Sequence, residues 1–309
     1  MIQKIEDIFF RFDKPWHYAA ALLLFPFSLI YCAIAIGKKL ISNPKEYGIP
    51  VISIGNLTVG GSGKTPFAIE LCKKFERPCV VMRGYGRRSQ GLLVVSRFGS
   101  IECDVFDSGD EAMLIAKKAQ NASVVVSENR VVGIQEAKRL GAEVVILDDG
   151  FGKFEIKKLD ILLSPKTPFR NIFCLPAGPF RFPLFFGGLA DISAVDDLDF
   201  FRKTTVPKGE SFVLVTAIAN PKRLDLYLPD GVVAKYYFPD HYYFTKQDIQ
   251  KIREKHPIAT LLCTQKDGVK LDAVGESYAE IGLSLEFDES FEKFLNSKIA
   301  ALPLKNQAS

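Results

Sequence analysis

The stretch from Ile52 to Leu71, ISIGNLTVGGSGKTPFAIEL, constrains the fold more than any other part of this chain. An apolar run leads into a glycine-rich turn that ends in Gly-Lys-Thr, and a helix-like segment follows. A strand followed by such a turn presents backbone N–H groups, a helix N-terminus and one ammonium to a phosphate. The stretch therefore predicts a phosphate-binding loop in an α/β domain.

The turn departs at one position from the usual phosphate-binding pattern, G-x-x-x-x-G-K-[ST], because Thr58 stands at the first glycine. Lys64 is expected to neutralise charge on the β- and γ-phosphates, and the Thr65 hydroxyl to be a ligand of Mg²⁺. The predicted nucleotide contacts are Thr58, Val59, Gly60, Gly61, Ser62, Gly63, Lys64 and Thr65.

A phosphate-binding loop needs an acidic residue at the end of a neighbouring strand, where it organises the metal ion. VVILDDGF, residues 144–151, supplies Asp148 and Asp149 directly after four apolar residues. One of them is expected to hold Mg²⁺ through water and the other to orient water or substrate. The sequence leaves open which does which, and it also leaves open that the pair only caps the next element.

Strand-like runs of Val, Ile and Leu alternate with helix-like segments across residues 51–147. The runs are continuous, as is typical of parallel strands with helices on both faces. This pattern predicts an α/β fold, a P-loop NTPase-like doubly wound parallel sheet. The predicted strands are 51–54, 79–82, 123–126 and 144–147, and the predicted helices are 66–75, 110–119 (with Ser108 as its N-cap) and 131–140.

Residues 164–207 are rich in Pro, Gly and Phe and are predicted to be irregular, with short helices. Further strands (212–216, 232–238, 260–263) and helices (247–254, 290–295) indicate a smaller C-terminal α/β lobe. The predicted division is an apolar N-terminal segment at 1–40, a P-loop kinase domain at 41–200 and the lobe at 201–309.

Residues 18–37 form a stretch of 20 residues without a charge, which meets the ~20 residues needed to span a bilayer core. Pro26 is expected to kink this helix or to separate two helices lying in the interface. A buried core helix is the alternative. We expect a membrane-associated helix, either peripheral or single-pass. If it spans, the basic residues that follow it place the main body on the cytoplasmic side.

The composition disfavours several classes of protein. A net charge of +4 over 309 residues gives no indication of nucleic acid binding. The six cysteines contain no C-x-x-C pair and the three histidines lie far apart, which disfavours a disulfide framework and a zinc site. The sequence gives no indication of a protein partner.

Two further strings bear on the ligand. Thr264–Asp267, TQKD, has its lysine next to the aspartate, whereas a guanine-specificity element is [NT]-K-x-D, so a GTPase is disfavoured. RGYGRRSQG, beginning at Arg83, lacks the last glycine of a dinucleotide-binding G-x-G-x-x-G. Its arginines suit a phosphorylated ligand, and a solvated loop is equally compatible with them.

Taken together, the motifs resemble one family, the tetraacyldisaccharide 4'-kinases of lipid A biosynthesis. The resemblance extends over nearly the whole chain. It rests on the apolar N-terminal segment with Pro26 and Tyr31, and on GNLTVGGSGKTP, RGYGR, GDEA, ENR, DDGF, LPAGPFR, PDHYYF and TQKDGVK.

The resemblance implies an enzyme on the cytoplasmic face of the inner membrane. It would transfer the γ-phosphoryl group of ATP to the 4'-hydroxyl of a tetraacylated glucosamine disaccharide 1-phosphate, with Mg²⁺ as cofactor and membrane lipids around the acceptor. Asp110 matches the family's catalytic base and His241 its histidine partner. Lys64 is the third residue that we expect to act in catalysis. Glu111 is a further expected metal ligand. The expected acceptor contacts are Arg83, Tyr85, Asn129 and Arg181.

Two positions depart from the family pattern. Gly152 follows DDGF where the family usually has Gln, and Phe182 follows Arg181 where an acidic residue is common. Two alternatives stay open: a P-loop kinase or ligase acting on a soluble acceptor, and a membrane-associated nucleotide switch without an acceptor.

Overall fold

The computed structural model describes residues 9–10 and 12–303. Its α-helices are α1 (Pro15–Ile41), α2 (Lys64–Cys72), α3 (Val105–Ser108), α4 (Asp110–Lys118), α5 (Arg130–Arg139), α6 (Lys246–Lys255), α7 (Gln265–Asp272) and α8 (Glu289–Ala300). Its strands are β1 (Val51–Gly55), β2 (Pro78–Met82), β3 (Leu93–Arg97), β4 (Ser100–Ile101), β5 (Ser123–Val126), β6 (Val144–Asp148), β7 (Leu159–Ser164), β8 (Ile192–Val195), β9 (Phe200–Thr205), β10 (Phe212–Thr216), β11 (Val232–Tyr237), β12 (Thr260–Thr264) and β13 (Ala279–Phe287). Two 3₁₀ helices lie at Leu184–Leu189 and Pro221–Tyr227.

The chain forms two compact units, each assembled from separate segments. The first contains the described residues of Met1–Lys64, Ile146–Phe201 and Phe287–Ser309, and the second contains Thr65–Val145 and Arg202–Glu286. The division predicted at residues 40 and 200 stays a prediction.

The first unit is built on parallel strands. β1 pairs with β7, and β7 pairs with β8. Every residue of β1 is buried, as the continuous apolar run predicted. β8 lies in a stretch predicted to be irregular, so that part of the prediction is wrong. This strand has only four residues, with alternating burial, and it therefore lacks the apolar run that marks the others.

Helix α1 packs lengthwise on the first unit. The Ser28 hydroxyl, midway along the helix, donates to the Cys174 carbonyl at 2.7 Å and accepts from the Ala177 N–H at 3.0 Å. The helix continues through Pro26, so the predicted alternative of two separate helices is wrong. Tertiary contacts on both sides of Pro26 hold the helix together, among them Ser28 and the ring of Phe25, which lies 5.3 Å from that of Phe173.

The other side of α1 is exposed and apolar. Of its most apolar 18-residue window, 17% is buried, and by length and composition the helix suffices to cross a membrane. Leu22 and Leu23 are 74% and 76% exposed. The exposed large apolar side chains of this helix are Trp16, Tyr18, Leu22, Leu23, Phe27, Leu29, Ile30, Ile34, Leu40 and Ile41. The prediction of one apolar N-terminal helix is thus confirmed.

The second unit contains strands of two sheets. In one, β2 is parallel to β5, and β3 is antiparallel to both β5 and β4. The other has the order β11-β10-β12-β13-β9, with its first four strands parallel. β9 also lies in the stretch predicted to be irregular. Its side chains are mostly exposed and polar, which hid it from a search for apolar runs.

Helix α4 begins differently from the prediction. Ser108 is the last residue of α3, and the N-cap of α4 is Gly109, with φ 85°. The prediction of Ser108 as N-cap is therefore wrong. A Cβ at Gly109 would lie 2.8 Å from the Tyr85 carbonyl oxygen, so the tight approach and the left-handed backbone both require glycine. This turn places Asp110 in the first turn of α4.

Candidate active site

The phosphate-binding loop lies in the first unit, between β1 and α2. Gly60 and Gly63 have φ of 103° and 85°, which side chains disfavour. The Lys64 ammonium donates to Asn56 Oδ1 at 3.0 Å and to Ser62 Oγ at 3.3 Å. It also lies 3.7 Å from Asp149 Oδ1. The basic side chain of the turn is therefore held among three oxygen atoms.

The LPAGPFR segment closes over this loop. The Val59 N–H donates to the Pro179 carbonyl at 2.8 Å, and the Arg181 N–H donates to the Leu57 carbonyl at 2.7 Å. The Arg181 guanidinium binds Asp149 through two bonds of 2.8 and 2.9 Å and also donates to Asn56. Asn56 thus contacts both cations. The sequence analysis did not identify Asn56, although its position directly after β1 was a usable signal.

The two aspartates at the end of β6 have different surroundings. Asp148 is buried, at 4% exposure. The side chain of Asp149 is 45% exposed and pairs with Arg181 and Lys64. Asp149 also has φ 55°, the left-handed conformation that is uncommon outside glycine and that is enriched at functional sites. The two carboxylates beside the loop therefore differ in burial, with Asp148 shielded and Asp149 partly exposed.

A cavity of about 190 Å³ adjoins this cluster. Its lining consists of Tyr31, Asn56, Asp149, Phe151, Gly152, Lys153, Arg181 and Phe182. A Cβ at Gly152 would lie 2.7 Å from the Phe182 ring, which stacks on Phe186 with centroids 5.8 Å apart. The two departures from the family pattern are therefore in contact. Phe182 fills the space that a side chain at position 152 needs.

In the second unit, the buried Asp110 pairs with the partly buried His241. Asp110 is 2% exposed, and His241 Nδ1 lies 3.1 and 3.0 Å from its two carboxylate oxygens. The backbone of His241 has φ 58°. Its backbone N–H donates to Asp240 Oδ1 and to the Ala217 carbonyl, both at 3.1 Å. The ring of Tyr85 lies 5.0 Å from the imidazole. The predicted partners meet across 131 positions of sequence.

Two lysines of α7 surround this pair. Lys266 Nζ lies 3.7 Å from Asp110 Oδ2, 3.3 Å from Glu111 Oε1 and 3.4 Å from His241 Nε2. Lys270 Nζ lies 3.8 Å from Asp110 Oδ2. An ammonium only donates, so the network assigns the lone pair to Nε2 and the proton to Nδ1, which donates to Asp110.

The charges decide the ionisation of Asp110. Burial raises the pKa of this carboxyl, but the hydrogen bond from His241 and the positive charge of Lys266 outweigh burial. Its pKa therefore lies below the ordinary value. Burial lowers the pKa of the Lys266 ammonium, but the negative charges of Asp110 and Glu111 outweigh burial. The pKa of Lys266 is therefore raised. The carboxylates and ammonium groups of the cluster therefore stabilise one another's charged forms, and His241 is hydrogen-bonded to Asp110.

The remaining predicted contacts also have defined places. Arg83 and Tyr85 are exposed in the loop after β2. The Asn129 amide oxygen caps α5 by accepting from the Val131 N–H at 3.0 Å. The roles predicted for these side chains stay predictions. Lys266 was not singled out from the sequence, where TQKD was weighed as a guanine-specificity element and TQKDGVK contributed to the family resemblance without an assigned role.

Across residues 9–10 and 12–303, no group of three or more His, Cys, Asp or Glu side chains is arranged to hold a metal ion. The carboxylates of Asp148 and Asp149 beside the loop are hard oxygen donors of the kind that suits Mg²⁺ bound together with nucleotide phosphates. The donor set therefore fits the predicted cofactor.

Comparisons with known proteins give a consistent result. A family model described as tetraacyldisaccharide-1-P 4'-kinase matches residues 20–196 and 196–300. A protein of Aliarcobacter butzleri named tetraacyldisaccharide 4'-kinase is 44% identical over 306 residues, covering 95% of this chain and 97% of that protein. A Helicobacter pylori protein of the same name is 44% identical over 264 residues, covering 85% and 84%.

A solved structure supports the fold. The crystal structure of LpxK from Aquifex aeolicus in complex with ATP matches with a TM-score of 0.74 and 30% identity, covering 91% of this chain and 98% of that chain. This match confirms the predicted P-loop kinase fold.

Proposed function

Since the chain belongs to the tetraacyldisaccharide-1-phosphate 4'-kinase family, we propose that it transfers the γ-phosphoryl group of ATP to a lipid acceptor. The acceptor is the 4'-hydroxyl of a tetraacylated glucosamine disaccharide 1-phosphate. The observation that carries the proposal is that the chain has both a phosphate-binding loop and, in the second unit, a hydrogen-bonded Asp110–His241 pair beside two ammonium groups.

The loop supports the nucleotide end of the reaction. Lys64 would exchange its contacts to Asn56 and Ser62 for phosphate oxygens, joined by the backbone N–H groups of Gly60 to Thr65. Thr65 with Asp148 or Asp149 would hold Mg²⁺, and Glu111 is retained as a further candidate. When bound, the ion supplies neutralisation of charge on the β- and γ-phosphates.

At the acceptor, the geometry favours His241 as the group that accepts the proton and Asp110 as its partner, the reverse of the roles that the family resemblance implied. Asp110 is buried and both its carboxylate oxygens lie against His241 Nδ1, which restricts the access of an acceptor hydroxyl to this carboxylate. His241 Nε2 carries a lone pair. We therefore assign the acceptance of the hydroxyl proton to Nε2, while Asp110 orients the ring and stabilises the imidazolium that forms. The hydroxyl would displace Lys266 from Nε2.

The expected acceptor contacts extend this assignment. The exposed ring of Tyr85 lies beside the imidazole and offers an aromatic face to a sugar. The guanidinium groups of Arg83 and Arg181 suit phosphate oxygens. Asn129, which caps α5, would contribute its amide N–H groups.

Helix α1 supports a peripheral location on the cytoplasmic face of the inner membrane. Ser28 and Ala35 are buried against the first unit along the length of the helix, and its opposite side exposes apolar rings and branched chains. Lys38 and Lys39 follow in its last turn, where they can pair with anionic headgroups. A helix held lengthwise on a folded unit suits burial in the interface better than spanning.

The decisive experiment incubates the purified protein with ATP, Mg²⁺ and the lipid disaccharide 1-phosphate, and follows the lipid by mass spectrometry. We expect the gain of one phosphate on the distal sugar, and none with Lys64→Ala. Phosphorylation of a deacylated disaccharide at an equal rate would favour the soluble-acceptor alternative. ATP hydrolysis without a phosphorylated lipid would favour the nucleotide switch.

The location has its own test. Leu22→Asp and Leu23→Asp together should move the protein from anionic vesicles into the soluble fraction. Leu226→Asp is the matched control, because Leu226 is 86% exposed in the second unit. Equal binding of all three proteins to vesicles would contradict the interfacial assignment.

A further inference from the structure

Asp267 and Lys270 form an ion pair in which both side chains are fully buried. Their exposures are 0% and 0%, and Lys270 Nζ lies 2.7 Å from Asp267 Oδ1. The desolvation of two charges often cancels their attraction, so a buried pair gives no stability that apolar side chains of similar volume would not give. The contacts of the Asp267–Lys270 pair therefore indicate a role other than stability.

Asp267 joins two elements of the second unit. Its carboxylate accepts from the Thr216 hydroxyl at 2.6 Å and from the Ala217 N–H at 3.1 Å, both at the end of β10. It also accepts from the Thr264 hydroxyl at 2.8 Å, at the start of α7. The carboxylate thus fixes the first turn of α7 to the carboxyl end of a central strand.

Lys270 extends this connection to the proposed catalytic pair. Its ammonium lies 3.8 Å from Asp110 Oδ2 and donates to the Ala217 carbonyl at 3.4 Å. The same carbonyl accepts the backbone N–H of His241 at 3.1 Å. The ammonium also lies 5.2 Å from the ring centre of Phe244, close to His241 in the chain. One cation therefore contacts the Asp110 carboxylate directly and His241 through a shared acceptor.

We infer that Asp267 and Lys270 are positioning residues for phosphoryl transfer. They hold the Asp110 carboxylate and the backbone of His241 in the one arrangement in which Nδ1 donates to Asp110 and Nε2 faces away from it. His241, Lys266 and Lys270 each interact with the Asp110 carboxylate. Of these, Lys270 is the one that is fully buried, so its place does not depend on substrate. This inference rests on the roles proposed for Asp110 and His241.

The test separates positioning from stability with a double variant. Lys270→Met or Asp267→Asn alone leaves one polar group without its partner and should lower the Tm. Asp267→Asn with Lys270→Met removes both charges and should recover most of the Tm. In that double variant we expect kcat to fall about 10²-fold, the effect of a small misplacement of reacting groups, with KM for ATP unchanged.

The matched control is Lys117→Met with Asp272→Asn. That exposed ion pair joins the same two helices, α4 and α7, and its loss should leave kcat unchanged. If the double variant at 267 and 270 does not fold, Thr216→Val removes only one hydroxyl donor to Asp267 and should lower kcat several-fold with KM for ATP unchanged. Wild-type kcat in either folded variant would overturn the inference.

Nitrogen NMR of His241 keeps the inference distinct from the proposed function. In the wild type we expect one signal for a protonated Nδ1 and one for an unprotonated Nε2, and in the double variant a mixture of tautomers. An unchanged tautomer would overturn the positioning role even where the wild-type protein phosphorylates the lipid. If the wild type phosphorylates no lipid, the proposed function fails, and the tautomer signals alone then decide the positioning role.

Discussion

Replacing His241 and Asp110, singly and together, tests which of them accepts the proton from the acceptor hydroxyl. A positioned general base contributes about 10²–10⁴ to the rate, or about 3–5 kcal/mol of transition-state stabilisation at roughly 1.4 kcal/mol per tenfold. Because Asp110 has both oxygens within 3.0–3.1 Å of Nδ1, its contribution passes through the imidazole. His241→Ala should therefore lose the whole factor.

Asp110→Asn should lose a similar factor or a smaller one. An amide at this position no longer carries the charge that stabilises the imidazolium, and its N–H₂ group can turn Nδ1 into an acceptor and so exchange the tautomer. Groups that act as a unit are not additive. The variant with both substitutions should therefore be no slower than His241→Ala by more than a few-fold, whereas independent roles would multiply the two losses.

The assay is steady-state phosphorylation of the lipid at saturating ATP, with kcat compared among variants of equal Tm. His256→Ala is the matched control, because this second histidine pairs with the Tyr236 hydroxyl at 3.1 Å, and its loss should leave kcat unchanged. If His241→Ala retained kcat within tenfold while Asp110→Asn lost it, Asp110 would be the base and the exchanged roles would be refuted. If the loss in kcat of the double variant equalled the product of the two single losses, the reasoning that Asp110 and His241 act as one unit would be refuted.

Three further outcomes are expected. Lys64→Ala should reduce kcat/KM for ATP by about 10² or more, since a charge-assisted contact to the phosphates is lost, and steady-state kinetics will show whether it does. Gly152→Ala should lower the free energy of unfolding by about 1–3 kcal/mol through overpacking against Phe182. In a Phe182→Ala background that cost should vanish, as urea denaturation of all four proteins can establish. Ser28→Ala should lower the free energy of unfolding by about 1–3 kcal/mol by leaving a buried N–H without its acceptor, and an unchanged urea midpoint would contradict the role of Ser28 in holding α1.

Local sequence was sufficient for much of the fold. The strands at 51, 79, 123 and 144 are continuous apolar runs, and each begins within one residue of its predicted start. The phosphate-binding turn has glycines at positions that require positive φ, so the backbone conformation follows from the residue types. Such features depend on neighbours in the chain, and a sequence displays them directly.

The ionic surroundings of the site depended on contacts that a single sequence does not display. Lys266 contacts Glu111 across 155 positions, and no local pattern marks either residue as the other's partner. Asn56 was missed for a related reason. Its position directly after β1 was a signal, but its role as a shared acceptor depends on Arg181, 125 positions away, which binds the same amide oxygen. The resemblance to a family identified Asp110 and His241, and the structure adds that Asp110 is the more deeply buried of the two.

The contact between Gly152 and the Phe182 ring has a consequence for how this site can change. A side chain introduced at position 152 collides with the ring, so that step is unfavourable while Phe182 is present. Shrinking Phe182 first opens the space, and a larger residue at 152 then becomes acceptable. A polar side chain at position 152 can therefore line this cavity only after Phe182 has been replaced by a smaller residue.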